Sequence, residues 1–259
     1  MKAMILCAGY GTRLGNLTRE LPKPMLPLQD RPLLAYVLGH LKAQGFTELA
    51  LNLHFRPDLI SGWLGDGSAW GLHLTYSHEA TLLGTAGGVK NLAAFFGDTP
   101  AFLVQYGDVL TDQDFGALMT FHRERDALVT LLLHQRAQSN SVVSLDPTGR
   151  ITGFLERPTA AERGTVSSPC VNSGVCVCAP VALDFIPPAV PSDLPRDLFP
   201  RLITTGRLFG FPLSGYRCAI DSPARLEEAR QAIAAGRCRI QPLGANAPGL
   251  ADDSRPAPA

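Results

Sequence analysis

The chain has 259 residues, 46% of them hydrophobic and 18% charged, with a formal net charge of zero. That length suits one large domain or two small ones, with enough apolar content to bury a sizeable core. The balanced charge argues against a basic nucleic-acid face or a lipid-binding lysine block, and no run approaches the ~20 apolar residues of a membrane span. The N-terminus, MKAMILCAGYG, lacks the longer apolar core and small-residue cleavage site of a signal peptide, so a cytoplasmic location is expected. Cysteines stand at 7, 170, 176, 178, 218 and 238 with no Cys-x-x-Cys. Buried reduced thiols are the expectation, and zinc is not.

In chain order, an apolar strand at 3–8 runs into Gly9-Tyr-Gly11-Thr12-Arg13 and then Pro22-Lys23-Pro24. A helical pattern near 32–44 leads to a strand at 48–54, a helix at 57–64, a strand at 72–77, a helix at 86–96 and a strand at 101–106. A helix at 114–124 follows. Beyond about residue 126 the strands crowd together, at 128–134, 141–145, 150–155, 171–178 and 208–213. Helical patterns there fall near 180–186, 196–204 and 223–235. Strand and helix alternating through the first half predict right-handed crossovers. The fold class is α/β: a Rossmann-like, mostly parallel mixed sheet flanked by helices, with antiparallel additions in the second half. No internal repeat is visible. Residues 239–259, rich in Pro, Ala and Gly, are expected to form a disordered tail behind a single domain over 1–238.

In open α/β sheets ligands bind beyond the carboxyl ends of strands. Gly9 and Gly11 follow the first strand, where missing side chains let backbone N–H groups approach a phosphate. Arg13 and Lys23 add cations. Pro24 biases Lys23 toward an extended backbone and Pro22 has its own φ fixed, so the ammonium sits on a stiff segment. A Walker A loop would need Gly-Lys-Ser/Thr, which is missing. A dinucleotide fingerprint would need a third glycine in register and an acid after the second strand. Here that glycine is displaced to Gly15 and the second strand ends LNLHF. A plain turn with an exposed lysine is the remaining alternative.

Taken together, AGYGTRL…PKPML, LGTAGG (83–88), YGDVLTD (106–112), GFLERP (153–158) and VNSGV (171–175) resemble, in order, the motifs of the sugar-1-phosphate nucleotidylyltransferases. The resemblance covers about residues 1–235 and is strongest to the guanylyltransferases acting on mannose 1-phosphate or related sugars. It implies the nucleotide-diphospho-sugar transferase type of fold. Residues 1–126 would be the nucleotide-binding half and 127–238 the sugar-phosphate-binding half. It also implies the reaction: a nucleoside triphosphate, with GTP favoured, and a sugar 1-phosphate give a nucleotide sugar and pyrophosphate. Neither the sugar nor the oligomeric state is legible.

The resemblance assigns nucleotide contacts to Ala8, Gly9, Gly11, Thr12, Arg13, Gly84, Thr85 and Gly87. It assigns sugar-phosphate contacts to Gly107, Glu156, Arg157 and Asn172. Arg13, Lys23 and Asp108 would be the catalytic residues, with Mg²⁺, or Mn²⁺ in its place, held by Asp108 and Asp221. Asp108 ends a strand after Gly107, a small residue that lets a ligand approach, and a hard carboxylate there suits Mg²⁺. The local alternative is a helix cap, which Asp112 or Asp114 would fill better. The family's Asp-Ile-Gly-Thr-Pro reads AIDSP at 219–223, so Ala219 takes the aspartate's place and Asp221 stands two residues on. Some relatives, notably cytidylyltransferases, place the acid directly before the Ser/Thr. On an extended backbone 219 and 221 share a face, and Ser222-Pro223 already makes a cap, which frees Asp221. Arg157 replaces the family's lysine and keeps its charge on a longer, planar fork. Ala219 and Arg157 leave open a second reading, a catalytically inactive regulatory homologue that binds a sugar nucleotide.

Overall fold

The computed structural model describes residues 1–136, 139–164, 170–187 and 191–244. The first apolar run forms β1 (Lys2–Leu6), buried along almost its whole length. A parallel strand covered on both faces reads as a continuous apolar run rather than an alternating one. The glycine loop winds through a 3-10 segment (Thr12–Thr18), and Lys23–Met25 make another short 3-10 turn. A small hairpin, β2 (Pro27–Leu28) and β3 (Arg31–Pro32), feeds α1 (Leu33–Ala43). Then come β4 (Glu48–Leu53), α2 (Pro57–Leu64), β5 (His73–His78), α3 (Gly84–Asn91), α4 (Ala93–Phe96), β6 (Phe102–Tyr106), β7 (Val109–Thr111), α5 (Phe115–Glu124) and β8 (Val129–Gln135). The second half carries the hairpin β9 (Ser141–Leu145)–β10 (Ile151–Glu156), α6 (Ala160–Gly164), β11 (Cys170–Cys178), α7 (Phe199–Ile203), β12 (Leu208–Pro212), β13 (Arg217–Ala219) and α8 (Pro223–Ala234).

Seven strands form the main sheet in the order β12-β8-β11-β6-β1-β4-β5. All its pairings are parallel except those of β11, which runs antiparallel to both β6 and β8. One apolar layer packs α1 and α8 on one face, with Leu34, Leu38, Phe46 and Phe115 fully buried. The other face is covered by α3, α4 and α7, where Phe96 stacks on Phe102 at 3.8 Å between ring centroids. The reversal of β11 matters for the site. The carboxyl ends of β1, β4, β5, β6 and β8 share one edge of the sheet, and β11 brings its amino end, with Asn172 and Gly174, to that edge.

Several expectations are corrected in detail. The helix expected over 86–96 breaks at Leu92 into α3 and α4. The helix expected at 180–186 is a 3-10 helix, Pro180–Phe185. The one expected at 196–204 begins as a wide π turn, Leu194–Leu198, and continues as α7. Pro200 explains this: a regular α turn would put its ring against the carbonyl of Arg196. The tail expected from 239 is packed as far as 244. The Leu243 N–H donates to the Ala35 carbonyl at 2.7 Å, and Ile240 and Leu243 are buried. Two apolar residues, Ile240 and Leu243, are enough to dock this stretch on α1. The rest of the expected tail, 245–259, lies outside the described residues. Five of the six cysteines, at 7, 176, 178, 218 and 238, are buried thiols outside any disulfide. No described helix is long and apolar enough to cross a membrane.

Candidate active site

Two clefts open along the carboxyl edge of the sheet. The smaller, of about 310 Å³, lies over the glycine loop. The larger, of about 780 Å³, lies between β7, β13, the β9–β10 hairpin and the start of β11. They run into each other: Arg13, Thr85, Tyr106, Asp108 and Asp193 line both.

The smaller cleft is built on a buried polar chain. The Cys7 N–H donates to Asn52 Oδ1 at 2.9 Å, and Asn52 Nδ2 donates to Glu79 Oε1 at 2.8 Å. The Leu83 N–H donates to Glu79 Oε2 at 3.0 Å. Asn52 and Glu79, 3% and 6% exposed, thus tie the ends of β1, β4 and β5 to the start of α3. Ala8, Gly9, Gly11, Thr12 and Gly84 line this cleft. Gly87 does not: it is buried, and its N–H goes to the Ser192 carbonyl at 3.2 Å, as does that of Ala86 at 2.9 Å. Thr85 faces the clefts, but its N–H and Oγ1 both donate to Asp193 at 3.2 Å. The amino end of α3 is therefore capped by the 192–194 segment, which leaves those N–H groups unavailable to a phosphate.

Lys23 and Asp108 meet where the clefts join. Lys23 Nζ lies 2.5 Å from Asp108 Oδ2, with the side chains 11% and 24% exposed. The stiff Pro-Lys-Pro segment therefore delivers its ammonium to the carboxylate that ends β6. Lys23 itself opens a 3-10 turn rather than an extended stretch. Gly107 lines neither of these two clefts. A Cβ there would stand 2.9 Å from Cys7 Sγ and from the Leu6 carbonyl, so the small residue accommodates the neighbouring strand end. Burial, reinforced by the charge of Asp108, pushes the Cys7 thiol far up and keeps it protonated.

Asp221 also faces the larger cleft, beside Ala219, with Arg13 Nη1 3.9 Å from its Oδ2. The chain does not reach it extended. β13 ends at Ala219, and the Asp221 N–H folds back to the Ala219 carbonyl at 3.1 Å. Ser222 caps α8 and Asp114 caps α5, accepting from Arg225 N at 3.3 Å and Ala117 N at 3.0 Å. Neither Asp108 nor Asp221 is used as a helix cap. Asp112 instead holds the Tyr216 and Arg239 N–H groups, at 2.5 and 2.9 Å.

Glu156, Arg157 and Asn172 line the larger cleft. Burial raises the Glu156 carboxyl, partly offset by Arg157 3.8 Å away. Arg157 has a φ of 52°, left-handed for a non-glycine residue, although a following proline ordinarily favours an extended backbone. Asn172 Oδ1 accepts the Gly174 N–H at 3.1 Å, at the irregularity inside β11 between Asn172 and Cys176.

Several lining residues escaped the reading of the sequence: Asn52, Glu79, Arg136, Asp193, Arg196 and Arg217. Glu79 and Arg136 each stand just beyond a strand, a placement visible in the sequence. Arg217 is largely buried, and burial lowers its pKa against the opposing pull of Asp108. Among the described residues no three His, Cys, Asp or Glu side chains converge. A divalent ion here would therefore take at most two carboxylates, Asp108 and Asp221, and the rest of its shell from water and phosphates. That donor set suits Mg²⁺.

The glycine loop follows β1, Lys23 pairs with Asp108 at the strand ends, and a second cleft opens beside them. A family model, Nucleotidyl transferase, matches residues 2–215. The chain belongs to this nucleotidyl transferase family. It is 35% identical over 225 residues to a UTP–glucose-1-phosphate uridylyltransferase of Synechocystis sp., covering 81% of this chain and 57% of that one. It is 34% identical over 227 residues to a mannose-1-phosphate guanylyltransferase of Mycobacterium tuberculosis, covering 85% and 61%. The chain thus spans about three fifths of the length of these relatives. Among nucleotidyl transferase folds, it matches a putative glucose-1-phosphate thymidylyltransferase of Bacillus anthracis with a TM-score of 0.78 at 20% identity, covering 89% of this chain and 94% of that one. HddC of Yersinia pseudotuberculosis gives 0.75 at 21%, covering 90% and 99%. At those identities the likeness is one of fold.

Proposed function

We propose that this chain transfers a nucleotidyl group from a nucleoside triphosphate to a sugar 1-phosphate, releasing pyrophosphate and a nucleotide sugar. The observation that carries the reading is the pair of joined clefts, with Arg13, Lys23 and Asp108 at the junction. The smaller would take the nucleotide, over the glycine loop. The larger would take the sugar phosphate, at Glu156, Arg157 and Asn172. The attacking phosphate oxygen is already anionic, so the reaction needs no general base. What remains is to align two polyanions in line and to stabilise charge on the α-phosphate. Arg13 and Lys23 are the cations at the junction for that task. Asp108 and Asp221 would hold Mg²⁺ or Mn²⁺, which supplies further charge neutralisation and orients the phosphates.

For the base we favour GTP, and for the sugar mannose 1-phosphate or a related hexose, heptose or cyclitol phosphate. The LGTAG and YGDVLTD motifs and the likeness to the guanylyltransferase support this, while the likeness to the uridylyltransferase keeps UTP as the rival. The inactive-homologue reading keeps Ala219 in its favour, but Asp221 in the same cleft weakens it. A matrix of four NTPs and several sugar 1-phosphates, scored by pyrophosphate release with Mg²⁺, tests all of this. No release from any pair would refute the transferase reading, and a tenfold preference for UTP or dTTP would refute the choice of base.

A further inference from the structure

The larger cleft holds more positive charge than one sugar phosphate uses. Among the described residues it is lined by Arg13, Arg136, Arg157, Arg163, Arg196 and Arg217. Its carboxylates are already engaged: Asp108 by Lys23, Asp221 by Arg13, Glu156 by Arg157, and Asp193 by the Thr85 N–H and hydroxyl. That leaves Arg136, Arg163, Arg196 and Arg217, none with a carboxylate within 4.0 Å among the described residues. Two of them are anchored through one nitrogen only. Arg217 Nε donates to the Ser173 carbonyl at 3.0 Å, and Arg163 Nη2 to the Ser139 carbonyl at 2.5 Å. The rest of each fork is free to turn toward a ligand.

The field these groups make is felt by their neighbours. Burial, followed by Arg217, Arg136 and Arg225, presses the His134 imidazole down to about 4. Arg225 has Glu228 at 2.6 Å, which leaves Arg136 and Arg217 as the uncompensated pair. Clustered like charges in a cleft are unfavourable unless an anion joins them, and guanidinium forks match the oxygens of carboxylate and phosphate. One phosphate has three free oxygens and is served by about two forks. Arg157, 3.8 Å from Glu156, and Arg217, which feels the charge of Asp108, are enough for it. Arg136, Arg163 and Arg196, on three separate segments around the same cleft, then have no partner in that reaction.

We propose that the sugar 1-phosphate accepted by this cleft carries a second anionic group, a carboxylate or a second phosphate, held by Arg136, Arg163 and Arg196. This rests on the transferase reading and narrows its sugar. The test measures kcat/KM by pyrophosphate release, with the best NTP and Mg²⁺, for glucose 1-phosphate, glucuronate 1-phosphate and glucose 1,6-bisphosphate. At least one charged analogue should exceed glucose 1-phosphate by about tenfold or more, the effect of one charge-assisted contact. Which analogue wins separates carboxylate from phosphate. Arg136→Gln and Arg196→Gln should each narrow the ratio of charged to uncharged sugar several-fold. A ratio near one, or a ratio unmoved by both substitutions, overturns the proposal. If no pair releases pyrophosphate, the transferase reading falls, and calorimetry with the two glucose phosphates still decides: equal affinity for mono- and bisphosphate overturns the second-anion site, and tighter binding of the bisphosphate that Arg196→Gln abolishes supports it.

Discussion

Replacing Arg157 with glycine should weaken the proposed transfer reaction without weakening the fold. Arg157 has a φ of 52° and a side chain 62% exposed. A non-glycine residue in the left-handed region costs roughly 1–2 kcal/mol, which glycine removes. Glycine returns roughly 0.5–1 kcal/mol through the greater freedom of the unfolded chain. The exposed contact with Glu156 at 3.8 Å is worth about 0–1 kcal/mol. These terms nearly cancel, so Arg157→Gly should lie within about 1 kcal/mol of the parent, a Tm change within about 2–4 °C for a chain of this size. Function should respond differently. Losing a charge-assisted contact to the sugar phosphate costs about 1.5–3 kcal/mol, raising its KM roughly ten- to a hundredfold while the KM for the nucleotide moves little. Arg157→Lys restores the charge and should retain most activity. Scanning calorimetry and initial rates with each substrate varied in turn are the assays. A fall in Tm well beyond 4 °C for Arg157→Gly would refute the strain argument, and equal rises in both KM values would refute the contact.

Asp108→Asn keeps the shape and removes the charge beside Lys23, and should lower kcat by on the order of a hundredfold or more. Asp221→Asn should do the same if both carboxylates hold the ion; near-silence would assign the metal to Asp108 alone. EDTA should stop pyrophosphate release and Mg²⁺ or Mn²⁺ restore it, and undiminished activity in EDTA would count against any ion. Gly84→Ala places a Cβ 2.3 Å from the Ser192 carbonyl at a φ of 76°, and should lower Tm by roughly 4–8 °C from a cost of about 2 kcal/mol. His122, buried with Nδ1 3.0 Å from Thr130 Oγ1, is lowered to about 4 by burial and then by Arg207. Its unfolded value is near 6.5, so the unfolded chain takes the proton first. Stability is whole above about 6.5 and should fall by on the order of 3 kcal/mol between there and about 4. A Tm profile for His122→Gln that is no flatter across this window would refute the assignment.

The elements that the sequence predicted well are those whose signal is local. β1, β4, β6 and β8 are buried on both faces and so read as mainly apolar runs without strict alternation. The glycine loop and Asp108 lie just past strand ends, so their placement at the site needed only the rule for open α/β sheets. The caps Asp114 and Ser222 were legible for the same reason, each stabilising a helix that starts at the next residue. What no local pattern revealed depends on partners far along the chain. β7 and β13 are three residues each and exist only because they pair with one another, Val109 against Ala219. Asp193 reaches Thr85 across 108 positions, and Arg217 meets its neighbours from β8, β11 and α8 only after β11 has inserted in reverse between β6 and β8. That insertion is a choice of pairing among strands of similar apolar content, decided by which packing buries both faces at once. It turns scattered arginines into one cleft, a result written in the tertiary structure because charge has no periodicity to betray it in the chain.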